Sequence, residues 1–209
     1  MITEEMLALL RKDVGGRMSE KRYRHTLGVE REAAALCEVY LPEKKNEMRA
    51  AALLHDMTKE YSLEKQLKIC EEFGIMVGVS DRMAPKTFHA KTAAALIAAL
   101  YPDYDLPEIV SAVRYHTTGR ADMSMCECIL YLADYIEDTR TFPDCVKLRE
   151  FFYSGLAGCA DEKERIAILY DTMILSFDMT IKGLIEDGVP ICRDTTDARN
   201  SFIVRKNGF

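Results

Sequence analysis

The chain has 209 residues, is 48% hydrophobic and carries a formal net charge of −6. That length suits one domain with embellishments, the apolar content excludes a disordered chain, and the acidic balance argues against a nucleic-acid backbone as main partner. No apolar run approaches the ~20 residues of a membrane span, and Met1-Ile2-Thr3-Glu4-Glu5 lacks the basic and apolar regions of a secretory signal, so a cytoplasmic protein with no membrane partner is expected.

Helical patterns run almost throughout. Thr3 can cap a first helix over 4–13, with Glu4 and Glu5 in its first turn, and Gly15-Gly16 ends it. Ser19 can cap a second, to about Tyr40, whose apolar residues Leu27, Val29, Ala33, Ala34 and Leu36 recur at helical spacings. Leu41-Pro42 stops it. A third helix is expected over 47–57 and a fourth, capped by Ser62, to about Phe73. Gly74, Gly78 and Pro85 mark a loop of about a dozen residues, long enough for a lid or binding segment. An alanine-rich helix follows over 89–100, and Pro107 suits the first turn of another that reaches Tyr115. His116-Thr117-Thr118-Gly119 breaks the pattern before Ser124 starts a helix through Ile136. A short helix from Pro143-Asp144 and a long one over 161–186 complete the series. Residues 188–209 are polar and aperiodic, and are expected to form a partly ordered C-terminal extension to a domain spanning 1–187. The expected fold class is all-α, a helical bundle without a central sheet.

The seven cysteines, Cys37, Cys70, Cys126, Cys128, Cys145, Cys159 and Cys192, contain no CxxC pair, so neither a zinc knuckle nor a thioredoxin-like motif is indicated. Cys37 and Cys128 read as small core fillers, and free thiols fit a reducing compartment.

All four histidines can be placed in one site. His55-Asp56 closes the run Ala51-Ala52-Leu53-Leu54. Neighbours on a helix point about 100° apart, but at a helix end both can converge on ions in a bundle core, the carboxylate bridging two of them. Asp134 sits within Ile129-Leu130-Tyr131-Leu132-Ala133-Asp134-Tyr135-Ile136. A carboxylate embedded there must be hydrogen-bonded, paired with an arginine such as Arg140, or metal-bound. One histidine alone is more often a surface or hydrogen-bonded residue than a ligand. The ordered series His25, His55-Asp56, His89, His116 and Asp134, on separate helices that can pack as a bundle, points to a two-metal centre.

These stretches resemble the HD superfamily, and within it the YqeK family of symmetrical diadenosine tetraphosphate hydrolases. The resemblance rests on Arg22-Tyr23-Arg24-His25-Thr26-Leu27-Gly28-Val29, Leu53-Leu54-His55-Asp56-Met57-Thr58-Lys59, Phe88-His89-Ala90, Arg114-Tyr115-His116-Thr117-Thr118-Gly119-Arg120 and Leu132-Ala133-Asp134-Tyr135-Ile136-Glu137-Asp138-Thr139-Arg140. They span residues 22 to 140 in the family's order. Asp138 stands where the family often has proline, and the helix after His89 has alanines and threonine where the family has a glycine.

A nitrogen and oxygen ligand set without sulfur suits iron, manganese, cobalt, nickel or zinc; the resemblance favours iron. Two such ions about 3.5–4 Å apart could share Asp56 and a nucleophilic hydroxide. Arg22 lies three residues before His25, on a shared helix face, and Lys59 lies three after Asp56. The resemblance places Lys59 at the scissile phosphate or leaving group, with Asp56 as the other catalytic residue, and Arg120 and Arg140 at other phosphates. Thr117 and Thr118 can donate to phosphate or shape the turn at Gly119. It implies attack on a central phosphorus of diadenosine tetraphosphate, giving two ADP. Another HD nucleotidase, a deoxynucleoside triphosphate hydrolase, or a non-catalytic nucleotide sensor would use the same ligands. The expected partners are a nucleotide substrate and a second copy in a homodimer.

Overall fold

The computed structural model describes residues 1–208; Phe209, the end of the expected extension, lies outside the described residues. Among the described residues the regular structure is helical, and no helix is long and apolar enough to cross a membrane.

Most helices begin on the caps that the sequence suggests. Thr3 accepts from the Met6 amide at the start of α1 (Glu4–Gly15), and Ser19 accepts from the Arg22 amide at the start of α2 (Glu20–Tyr40). Each satisfies one of the four amides that a helix start leaves without a partner. After a 3-10 turn at Pro42–Lys44, α3 (Lys45–Leu54) carries the apolar run. Ser62 caps α4 (Leu63–Glu72) in the same way. A short α5 (Val79–Met83) and a 3-10 turn at Pro85–Thr87 lead into α6 (Phe88–Leu100). Pro107 opens α7 (Pro107–Tyr115), and a Ser124/Glu127 capping box opens α8 (Met125–Ile136). Pro143 opens α9 (Pro143–Ala157), Asp161 caps α10 (Glu162–Glu186), and α11 (Arg193–Lys206) is the last helix.

Three boundaries differ from the sequence reading. Helix α3 stops at Leu54 rather than running on to residue 57. Tight turns replace it, with Met57 N donating to Leu54 O, Lys59 N to Asp56 O and Tyr61 N to Thr58 O at 3.2, 2.9 and 3.0 Å. The dozen-residue loop contains α5, pinned by Lys91 Nζ to Asp81 Oδ1 at 2.9 Å. Residues 193–206, expected as part of an aperiodic tail, form α11. Its buried face consists of only Thr195, Ala198 and Phe202, spaced three and four apart among polar neighbours, too sparse a stripe to stand out in the sequence.

Helix α2 packs on α3 and α8, α7 closes the group against α3 and α8, and α6 lies on α7 with α4 outside it. The long α10 stacks Phe177 on Tyr131 of α8 at a ring separation of 4.8 Å, and α11 lies on α10. Phe202 fills the gap between them, with its ring 6.1 Å from that of Phe177. Gly119 has a φ of +64° and abuts Phe177 and Ala198, so the break after His116 fits only without a side chain.

Because Phe202 is wholly buried, Phe202→Ala is expected to lower the unfolding free energy by about 3–5 kcal/mol in a denaturant titration, through the cavity it leaves. An unchanged midpoint would show that α11 contributes no packing.

Candidate metal centre

All four histidine side chains meet in the space between α2, α3, α6, α7 and α8. His25 comes from the second turn of α2; His55 and Asp56 come from the tight turn that ends α3. His89 lies in the first turn of α6, His116 caps α7, and Asp134 lies near the end of α8. All but Asp134 are buried, and the Asp134 side chain is 17% exposed.

Each ring is oriented by its Nδ1. His55 Nδ1 donates to Ala52 O at 2.6 Å, His89 Nδ1 to Lys86 O at 2.8 Å and His116 Nδ1 to Val113 O at 2.7 Å. A carbonyl oxygen can only accept, so Nδ1 carries the proton and Nε2 is left with a bare lone pair. His25 Nδ1 donates to Glu137 Oε1 at 3.0 Å.

The Nε2 atoms converge on the carboxylates. His25 Nε2 lies 3.0 Å from Asp134 Oδ1 and 3.7 Å from Asp56 Oδ2, while His55 Nε2 lies 3.8 and 3.4 Å from the same two atoms. On the other side of Asp56, Oδ1 is 3.1 Å from His89 Nε2 and 3.8 Å from His116 Nε2. His89 and His116 point their Nε2 atoms at each other across 3.0 Å. Lone pairs facing lone pairs and carboxylate oxygens repel unless a cation lies among them. His25 Nε2, His55 Nε2 and Asp56 Oδ1 are also buried without a hydrogen-bond partner, which is costly for polar atoms that have no ligand. The residues therefore fit metal ions. His25, His55 and Asp134 offer ligand atoms within 4.8 Å of one another, as do His55, Asp56 and His116.

The charge balance agrees. Burial opposes ionisation of Asp56, but the imidazoles of His55, His116 and His89 outweigh it and hold the carboxyl well below the usual carboxylate range. For Asp134, burial is likewise overcome, by Arg140 and then His25. Burial pushes His89 down to about 4 and lowers His116 as well, which keeps both rings in the neutral form a metal requires. His25 differs: burial is outweighed by Asp134 and Glu137, which raise it to about 9. Two carboxylates that favour a proton on this ring also favour a metal cation at Nε2.

Five cationic side chains stand around a cavity of about 750 Å³ that opens on His25: Lys21, Arg22, Arg24, Lys59 and Arg140. Arg22 donates to Asp56 Oδ2 at 2.6 Å and Arg140 to Asp134 Oδ1 at 2.6 Å, so each of the two carboxylates holds one guanidinium. Lys59 Nζ approaches His89 Nε2 at 3.1 Å, and burial lowers its pKa. The Thr117 hydroxyl is 3.2 Å from His89 Nε2.

Two expected substrate contacts, Arg120 and Thr118, are held by partners within the protein. Arg120 does not line this cavity. Its Nε donates to the buried Glu127 at 2.8 Å, which makes it part of the support for the α8 capping box. The Thr118 hydroxyl is buried and donates to Gly119 O at 3.0 Å, so it shapes the turn. Residues 74–87, expected as a lid or binding segment, do not line the cavity either.

Other supporting residues are visible only in three dimensions. Glu137 also accepts from the Thr139 amide and hydroxyl at 2.7 Å, which fixes its carboxylate beside His25. Gly28, one turn after His25, lies where a Cβ would overlap that carboxylate. A glycine inside a helix is a recognised sign of close approach, but its partner, Glu137, is remote in sequence. Arg149 of α9 clamps the carbonyls of Ile136, Glu137 and Arg140 and holds the segment after α8 in place.

The sequence profile of the HD domain family matches residues 22–138. A symmetrical bis(5'-nucleosyl)-tetraphosphatase of Bacillus subtilis (strain 168) is 33% identical over 195 residues, 93% of this chain and 94% of that one. Its counterpart from Staphylococcus aureus (strain NCTC 8325 / PS 47) is 28% identical, over 89% of each chain. A crystal structure from Clostridium acetobutylicum, described as a predicted HD superfamily hydrolase involved in NAD metabolism, superposes with a TM-score of 0.82 at 32% identity, covering 99% of this chain and 100% of that chain.

Glu137→Gln and Gly28→Ala are both expected to weaken metal retention about 10–100-fold, because the partner that orients a ligating imidazole is lost or displaced. Metal titration of the two variants checks this. Wild-type affinity in both would show that His25 needs no orienting carboxylate.

Proposed function

The chain belongs to the HD domain family, and we propose that it is a metal-dependent symmetrical bis(5'-nucleosyl)-tetraphosphatase that cleaves diadenosine tetraphosphate to two ADP. The observation that carries this reading is the two-sided environment of Asp56: Oδ2 faces His25 and His55, and Oδ1 faces His89 and His116. His25, His55, Asp56, His89, His116 and Asp134 would be the residues that hold the metal ions, with Asp56 between the two pairs of imidazoles. Such ions supply Lewis acidity and a water acidic enough to attack phosphorus at neutral pH. The sulfur-free ligand set favours iron, manganese, cobalt, nickel or zinc, and iron is the metal we propose.

The chain's own side chains supply the rest. Arg22 and Arg140 are held by carboxylates at the cavity edge. A phosphate oxygen could take the place of either carboxylate as a guanidinium partner, since guanidinium pairs with phosphate through charge-assisted, bidentate hydrogen bonds. Lys59, whose pKa burial lowers, is placed to neutralise or protonate the leaving phosphate oxygen. Thr117 adds a hydroxyl donor beside His89. Lys21 and Arg24 add cations toward solvent, with Arg24 paired to Glu20 at 3.4 Å, and a run of cations suits a chain of four phosphates better than one. That run favours a polyphosphate over a nucleoside monophosphate, although the chain as a whole is acidic. The free thiols fit a reducing compartment, in keeping with the cytoplasmic placing.

Metal-loaded protein is expected to convert diadenosine tetraphosphate to ADP alone, as resolved by anion-exchange chromatography. ATP plus AMP would overturn the symmetric reading, and no turnover would favour a nucleotide sensor. His55→Ala and Asp56→Asn are expected to lower the rate roughly 10³-fold, equivalent to about 4 kcal/mol of lost transition-state stabilisation.

A further inference from the structure

Beyond its phosphates, a dinucleotide presents flat, apolar bases. The cationic cavity has one aromatic wall residue, Phe142, two positions after Arg140. The ring is 69% exposed. Its backbone, by contrast, is held firmly. Phe142 caps α9 ahead of Pro143, with φ −62° and ψ 138°, and its carbonyl accepts from the Val146 amide at 3.0 Å. Proline disfavours helical geometry at the residue before it, so the ring cannot be drawn into the helix. Arg149 clamps the preceding segment through Ile136 O at 2.5 Å and Arg140 O at 2.9 Å. The side chains that α9 buries are Cys145, Leu148 and Phe152, which leaves Phe142 outside the core.

A single exposed aromatic needs no explanation in itself. This one is presented on a fixed backbone at the rim of the cavity that also contains Arg22, His25, Lys59 and Arg140. Phe142 therefore shares one cavity wall with Arg140, whose guanidinium is held on Asp134. Aromatic faces bind bases by stacking, without regard to base identity, and the fixed backbone limits what must be ordered on binding to the ring itself.

We propose that Phe142 is the stacking platform for the nucleobase of the ADP half that is held next to the metal centre, so that the site distinguishes nucleotides from inorganic polyphosphates. The inference rests on the dinucleotide reading above, and it assigns a specificity role to a residue outside the metal and phosphate contacts. Stacking without hydrogen bonds to the base edge also predicts tolerance of guanine in place of adenine.

The chain contains no tryptophan, so Phe142→Trp installs a single fluorophore at the platform. Titrating the metal-loaded variant with ADP is expected to quench its emission, while tripolyphosphate, which has no base, leaves it unchanged. In parallel, Phe142→Ala is expected to weaken ADP binding about 5- to 150-fold and tripolyphosphate binding less than about twofold. Equal quenching by both ligands, or ADP affinity unaltered by Phe142→Ala, would overturn the platform while leaving the hydrolase reading intact. Wild-type protein that neither binds ADP nor cleaves diadenosine tetraphosphate would instead defeat the reading on which the platform depends.

Discussion

Four imidazole rings at the centre of this molecule have their Nδ1–H groups tied down and their Nε2 atoms turned toward one another. In three of them the acceptor is the carbonyl three residues earlier in the chain. Those carbonyls lie in the last turns of α3 and α7 and in the 3-10 turn before α6, where helix ends leave acceptors without partners. The groups that a helix end normally leaves to water thus orient the rings. The result is a cluster of lone pairs and carboxylate oxygens that only cations can relieve.

The surroundings of the cluster sort into groups that hold it and groups that face the cavity. Glu137, Gly28 and Arg149 hold it: the first orients His25, the second leaves room for that carboxylate, and the third fixes the segment that carries both Glu137 and Arg140. Arg120 and Thr118, expected at phosphates, make hydrogen bonds within this supporting group. Lys21, Arg22, Arg24, Lys59 and Arg140 face the cavity. These cations are gathered on one wall of an acidic protein, where of the lining acids Glu137 is tied to His25 and Thr139 and Glu20 pairs with Arg24. Local potential at a cleft, rather than net charge, governs the encounter with a charged ligand.

Packing further out serves the same geometry. Helices α10 and α11 touch none of the six ligand side chains in the interactions above, but Phe177 and Ala198 meet Gly119, the residue that lets the chain turn just after His116. The C-terminal helices therefore support the turn that follows a ligand-bearing helix. Their contribution to the site is mechanical, through a close approach that any side chain at position 119 would block.

How much of this could be read in advance depended on how local each signal is. Caps at Thr3, Ser19, Ser62 and Ser124, prolines at 107 and 143, and 3.6-residue periodicity are determined within a few residues, so the all-helical class and most helix starts were legible. The ordered histidines and aspartates were legible as a candidate site too, because metal chemistry restricts which side chains can serve. The rest lay beyond sequence because it depends on contacts between distant residues. Glu137 meets His25 across 112 positions, and Arg120 turned to Glu127 rather than to the cavity because a buried carboxylate requires a partner. Helix α11 exists because Phe202 and Ala198 have a surface on α10 to cover, and a sparse apolar stripe stabilises a helix only when such a surface is present. The sequence by itself determined which side chains could bind a cation; only the tertiary structure decided which of them face each other and which charges line the cavity.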